Sequence, residues 1–274
     1  MGDLEKHVHD ANITYHTALA DRYDETQPHF KPENVARVEA TLANLASQTG
    51  GKCLLDLGCG TGFVLNIAQK YFDWVVGIDI TPAMIKKVVI RAGRVVRIEA
   101  NSESLPLPAG QFDVCTAYSF LHHLYDLRPT LVEAFRCLRP GGFFYSDQDP
   151  NFQYWALMDK LKGNGNLPQV VAREVQSVVG DVEIIVSETD LGADTVRMAE
   201  YQMMQGGLDA GEVTAWFEAA GFRSVTCRPE WYLGQGTMIH QRSATEAQQV
   251  ETYLRDHLPA TASLFKYLSF LAQK

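Results

Sequence analysis

The chain has no run of 18 apolar residues, so no segment of it is expected to cross a membrane. No secretory leader or myristoylation start is expected, because Gly2-Asp3-Leu4-Glu5-Lys6 is polar and Lys6 stands where the latter needs Ser or Thr. Basic charge is scarce. Twenty-four Lys and Arg against 33 Asp and Glu give a net −9, which argues against nucleic acid, since neutralising phosphates takes concentrated cations. The densest basic stretch, Lys86-Lys87 to Arg97, reads as a solvated helix face. The five cysteines are odd in number and have no C-x-x-C spacing, so neither a zinc site nor a disulfide framework is expected. Cys53, Cys115 and Cys227 sit in strand-like runs, as reduced buried thiols of a cytoplasmic protein would. Repeats and low-complexity tracts are also missing.

What is present is ordinary globular material, 46% apolar and 21% charged, in 274 residues. Apolar strand runs at 53–57, 74–79, 94–99, 112–118 and 142–147 alternate with helical patterns at 63–72, 82–91 and 127–138. That rhythm predicts a parallel sheet with right-handed crossovers. Thr81-Pro82 marks a helix start, with Thr as N-cap and Pro at the first helical position. Before this lie two helical segments, about 8–23 and 32–47, split by Gln27-Pro28-His29-Phe30-Lys31-Pro32. After it, 151–207 is polar and largely helical, and 209–220 reads as a helix capped by Asp209. An extended run follows from Phe222 to Arg228. A last strand is expected near 236–241, and helices at 243–256 and 259–272, the latter apolar at Leu264, Phe265, Leu268 and Leu271.

The most informative stretch is Asp56-Leu57-Gly58-Cys59-Gly60-Thr61-Gly62. A strand runs into three alternate glycines and then a helix, which makes a nucleotide-sized crevice where backbone meets ligand. A second apolar run ends at Asp79, placed to accept hydrogen bonds from ribose hydroxyls. The dinucleotide fingerprint G-x-G-x-x-G would need a glycine at 63, where Phe stands. That spacing disfavours a nicotinamide-dependent oxidoreductase.

Asp56 through Gly62, with Asp79, resembles motif I and the following acidic residue of the class I S-adenosylmethionine (SAM)-dependent methyltransferases. Glu103 to Pro108 with Phe112-Asp113-Val114, then Leu121-His122-His123-Leu124 and Glu133 to Gly142, are similar to later motifs of the ubiquinone/menaquinone-type and small-molecule group. Ala219-Ala220-Gly221-Phe222 matches a late helix–strand junction. The resemblance is dense over 50–150 and thin over 208–240. It implies an α/β, Rossmann-like open sheet of about seven mostly parallel strands, with helices on both faces. Residues 1–48 would be a helical lid, 49–150 and 208–241 the SAM-binding core, 151–207 a helical substrate cap, and 242–274 C-terminal helices.

The resemblance also implies roles. SAM, leaving as S-adenosylhomocysteine (SAH), would be held by Asp56, Gly58, Gly60, Gly62, Asp79 and Ile80. Asn101 stands where the family often has an Asp that accepts from the adenine amino group; its amide oxygen can do the same. Ser102 would offer backbone to the adenine, and Tyr118 would border the methionine end. Tyr15 and Tyr23, from the lid pattern Ala20 to Asp24, would close over the cofactor. Candidate catalytic residues are His123 as general base, Asp147 facing the acceptor, and Tyr23. Several aromatic and Met residues, such as Trp155, Tyr201 and Trp231, would suit an apolar pocket, a second core or a dimer interface. The expected function is methyl transfer to a small organic acceptor at O, N or C, without a metal. A non-catalytic SAM-binding scaffold is the alternative, and a homodimer is left open.

Overall fold

A computed structural model describes residues 2–90 and 94–274. Its frame is a seven-stranded sheet: β1 Cys53–Leu57, β2 Trp74–Asp79, β3 Val95–Glu99, β4 Phe112–Tyr118, β5 Leu138–Pro150, β6 Arg223–Tyr232 and β7 Phe265–Gln273. The strands lie in the order β3-β2-β1-β4-β5-β7-β6. Pairing is parallel from β3 through β5, while β7 runs antiparallel between β5 and β6.

A parallel sheet must be covered on both faces, so its central strands read as apolar runs rather than alternating ones. All seven residues of β4 are buried. Neighbours on β1 point to opposite faces. Leu55 joins Leu131, Phe144, Phe217 and Phe270 in one core cluster, to which the helices Leu127–Cys137 and Ala210–Ala220 contribute. Leu54 joins Leu42, Val64, Val75 and Val114 in the other, to which Pro32–Thr49 and Phe63–Ala68 contribute. Asp209 caps its helix as expected, accepting from the N–H groups of Gly211 (2.8 Å) and Glu212 (3.0 Å).

The end of the chain differs from its sequence pattern. The 259–272 segment is no helix; most of it is β7, and the sheet pairing includes it. Phe265, Leu268, Phe270 and Ala272 are buried. A strand covered on both faces is an apolar run, and every third or fourth residue of such a run imitates a helical stripe. The expected strand at 236–241 is instead the short helix Gln235–Gln241, entered through Gly234 at positive φ. Within 242–274, then, the one α-helix is Ala244–Asp256, and the rest supplies sheet core. The 82–91 helix closes early, at Pro82–Ile85; its expected end, Arg91, lies outside the described residues. Thr81 does take the N-cap position but makes no side-chain cap bond. All five cysteines are free thiols. Among the described residues no helix is long and apolar enough to cross a membrane.

Candidate active site

A cavity opens at the carboxyl ends of β1, β2 and β4, where an open α/β sheet leaves its ligand crevice. It encloses about 880 Å³ of non-atom space, counting its open mouth. Gly58, Gly60 and Gly62 line or border it, with φ of 64°, 52° and 98°. Gly58 is the most constrained of the three, because a Cβ there would lie 2.0 Å from the Phe120 ring at positive φ. The loop thus presents bare backbone to whatever fills the cavity.

Asp79 holds that loop in shape. One carboxylate oxygen accepts from the Gly60 N–H and the other from the Thr81 N–H, both at 2.8 Å. Each oxygen keeps a lone pair for a further donor. Asp56 also lines the cavity and accepts from the Thr116 hydroxyl at 2.6 Å. Burial pushes its carboxyl up to about 7; Thr116 opposes the shift and Asp79 adds to it. Ile80, Asn101, Ser102 and Tyr118 complete the wall. Asn101 Oδ1 accepts from the Glu103 N–H at 2.9 Å, and the Ser102 hydroxyl bonds Thr130 at 2.9 Å. These residues fit a SAM-sized molecule: bare backbone at one end and carboxylates facing the cavity.

The N-terminal segment closes one side. His9 meets Glu103 at 3.2 Å, Asn12 donates to the His123 carbonyl at 3.1 Å, and Thr61 donates to Asp24 at 2.5 Å. His16 and Tyr23 face inward from this segment. Tyr23 is held protonated, its pKa raised by burial and by Glu200, Asp79 and Asp24. Tyr15 does not line the cavity. It is buried with Leu19, Val196 and Ala199, a packing contact between the N-terminal helix and the helix Ala193–Ala199.

The His-His pair divides its work. His122 Nδ1 bonds Asp149 at 2.9 Å, and its Nε2 lies 3.4 Å from Glu200. Burial opposes its charged form, but the two carboxylates outweigh that and raise its pKa. His123 lines the cavity, and its Nδ1 lies 2.7 Å from the Ala199 carbonyl. A carbonyl only accepts, so Nδ1 carries the proton and Nε2 keeps a lone pair. Burial, then His122 and His16, push its pKa well down, so the ring is neutral at pH 7. With Glu200 the pair forms a cluster whose potential ligand atoms lie within 4.8 Å, though both Nδ1 atoms already serve protein groups.

Asp147 is not at the site. It is fully buried, accepts from Arg37, from the Tyr145 hydroxyl (2.6 Å) and from the Gln148 N–H (2.7 Å), and does not line the cavity. The sequence pattern ends this strand at 147, whereas β5 runs on to Pro150, and Arg37 of the helix Pro32–Thr49 occupies the carboxylate. Among the lining residues without a sequence motif, such as His9 and Asn12, His29 stands deepest in aromatic surroundings. It lines the cavity edge-on to Phe63, ring centres 5.0 Å apart, and burial pushes its imidazole down to about 4. Its place in a Pro-flanked break between two helices was the available signal.

Residues 55–146 match the family model described as a methyltransferase domain. The chain is 33% identical over 123 residues to a probable S-adenosylmethionine-dependent methyltransferase of Mycolicibacterium smegmatis, covering 44% of this chain and 48% of that protein. It is 35% identical over 117 residues to the 27-O-demethylrifamycin SV methyltransferase of Amycolatopsis mediterranei, covering 40% and 43%. The chain therefore spans about half the length of these relatives, or less. In structure it resembles a phosphoethanolamine N-methyltransferase of Haemonchus contortus, with a TM-score of 0.59 at 15% identity, covering 100% of this chain and 60% of that one. An S-adenosylmethionine-dependent methyltransferase from Mesorhizobium loti gives 0.54 at 16% identity, covering 86% and 96%. These structural likenesses concern the fold alone.

Proposed function

We propose that this chain, whose residues 55–146 match the methyltransferase-domain model, is a class I SAM-dependent methyltransferase that transfers the methyl group of SAM to a small organic acceptor and releases SAH. One observation carries the reading: the positive-φ glycines Gly58 and Gly60, past the end of β1, line the same cavity as Asp79, which braces their loop.

Bound SAM supplies a methyl group already activated on a sulfonium. The protein's share is then binding, orientation and exclusion of water, and orientation is a large part of such a rate. The glycine backbone takes the amino-acid end, with Asp56 beside its ammonium. Asp79 accepts from the ribose hydroxyls, and Asn101 and Ser102 meet the adenine. Tyr118 borders the sulfur end, and Tyr23 covers it from the N-terminal segment.

Several relatives are named ubiquinone biosynthesis O-methyltransferases, which supports a hydroxyl acceptor. Such an acceptor gives up a proton as the methyl arrives. His123 Nε2 is the group that takes it: neutral, facing the cavity, and fixed in tautomer by Ala199. His122, already paired with Asp149, holds the neighbouring turn. Incubation with SAM and pools of phenolic and hydroxylated acids, read by mass spectrometry, should give SAH and a methylated product that depend on acceptor. SAH binding without turnover on any acceptor would leave a binding protein and overturn the reading.

A further inference from the structure

Apart from the glycine loop and its carboxylates, the cavity has a wall of rings. His123, His16, Tyr23, His29 and Tyr118 all line it. In that order their ring centres lie 4.8, 6.1, 5.7 and 5.8 Å apart. Phe63, also on the lining, adds a sixth ring, 5.0 Å from His29 and 4.9 Å from Tyr118. The six come from separate elements, and the N-terminal segment supplies the middle three. The band therefore runs unbroken from His123 to the end of β4.

His29 sits within this band with its polar atoms unused. The residue is 5% exposed. No hydrogen bond among the described residues reaches either ring nitrogen, and neither nitrogen is one of the sealed, unpartnered atoms of the core, so both open on the cavity. Buried polar groups normally have partners, so a free imidazole on a cavity wall points to a ligand. With its pKa pushed down to about 4 by burial, the ring is neutral and offers one N–H and one lone pair.

The surroundings select that ligand. No lysine or arginine lines the cavity, and its carboxylates, Asp56 and Asp79, are committed to the cofactor. His123 is neutral, and burial keeps Tyr23 and Tyr118 protonated. Orientation of a guest is left to ring faces and neutral hydrogen-bonding groups. Ring-on-ring contact favours an aromatic guest over a saturated one of equal size by roughly two- to tenfold per pair. Tyr118 borders the sulfur end of the cofactor and Tyr23 covers it, and His29 stands between these two rings, so a guest at His29 adjoins the methyl group.

We propose that the acceptor is an aromatic compound that stacks on this band, and that His29 selects it through a hydrogen bond to a ring substituent. Its being the acceptor rests on the methyl-transfer reading; the aromatic site itself does not.

The test uses the full chain saturated with SAH, which fills the cofactor's share of the cavity. Catechol, its saturated counterpart cyclohexanediol and the cation choline are titrated in turn and followed by ligand-observed NMR. Catechol should bind about threefold or more tighter than either of the others. His29→Phe keeps a ring and removes both nitrogens; it should weaken catechol about three- to tenfold, the usual reach of one hydrogen bond, and leave SAH affinity as in the wild type. Should His29→Phe fail to fold, the three probes on the wild type decide alone. Cyclohexanediol or choline binding as tightly as catechol, no binding by catechol, or catechol affinity unchanged in His29→Phe overturns the proposal. Loss of SAH affinity in His29→Phe would give His29 to the cofactor and overturn it too. Absence of SAH binding by the wild type would instead fail the cofactor reading, and the same titrations on the free chain would still decide the aromatic site.

Discussion

Asp56 should make cofactor affinity depend on pH in a calculable way. Its carboxyl, buried against Thr116, titrates at about 7 in the free protein. Either protonation state is accommodated, because Thr116 donates to the carboxylate or turns to the Leu55 carbonyl, 3.3 Å away. A bound ammonium beside Asp56 favours the charged form and lowers that pKa. Binding at pH 5.5 must then expel a proton that is already gone at pH 8. The difference is about 1.5 pKa units, or roughly 2 kcal/mol and about 30-fold in affinity. Calorimetric titration with SAH between pH 5.5 and 8, in buffers of different ionisation enthalpy, reads both the affinity and the released proton. Asp56→Asn should abolish the slope. A flat profile with no proton release would refute the ammonium contact. In the ligand-free protein the sign is opposite: a raised folded pKa means Asp56 contributes stability at low pH that is lost as pH rises through about 7.

Gly58→Ala places a Cβ 2.0 Å from the Phe120 ring at φ 64°, so it should cost about 3 kcal/mol and lower the melting temperature by roughly 6–12 °C; an unchanged melting curve would contradict the tight loop. His123→Ala should lower kcat on a hydroxyl acceptor about 10²–10⁴-fold with SAH affinity preserved, the usual reach of a general base. Unchanged kcat would remove His123 from proton transfer. Phe270→Ala, in the centre of β7, should destabilise by about 3–5 kcal/mol in denaturant unfolding. A loss under 1 kcal/mol would mean that 265–273 is not core strand.

The cofactor side of the molecule was legible because its chemistry is local in sequence. Strand, glycine loop and helix from Cys53 to Ala68 are contiguous, and Asp79 ends the very next strand. What escaped depends on contacts distant in sequence. Asp147 closes an apolar run and reads like a site residue, yet β5 continues past it to Pro150 and Arg37, 110 positions earlier, neutralises it. Tyr15 has the spacing of a lid residue, but the helix Ala193–Ala199 buries it. β7 was hidden because its pairing with β5 and β6, not its own pattern, makes it a strand. His29 carries no motif and gains its place through the fold of the N-terminal segment over Phe63.

The central claim is that the glycine loop and Asp79 bind SAM. Isothermal titration of SAH into the wild type and Asp79→Ala tests it most directly. Two hydrogen bonds from ribose to a carboxylate are worth about 1.5–3 kcal/mol each, so the variant should bind at least about 100-fold more weakly while the wild type binds one SAH per chain. Equal affinity in the two proteins, or no binding by the wild type, would contradict the account.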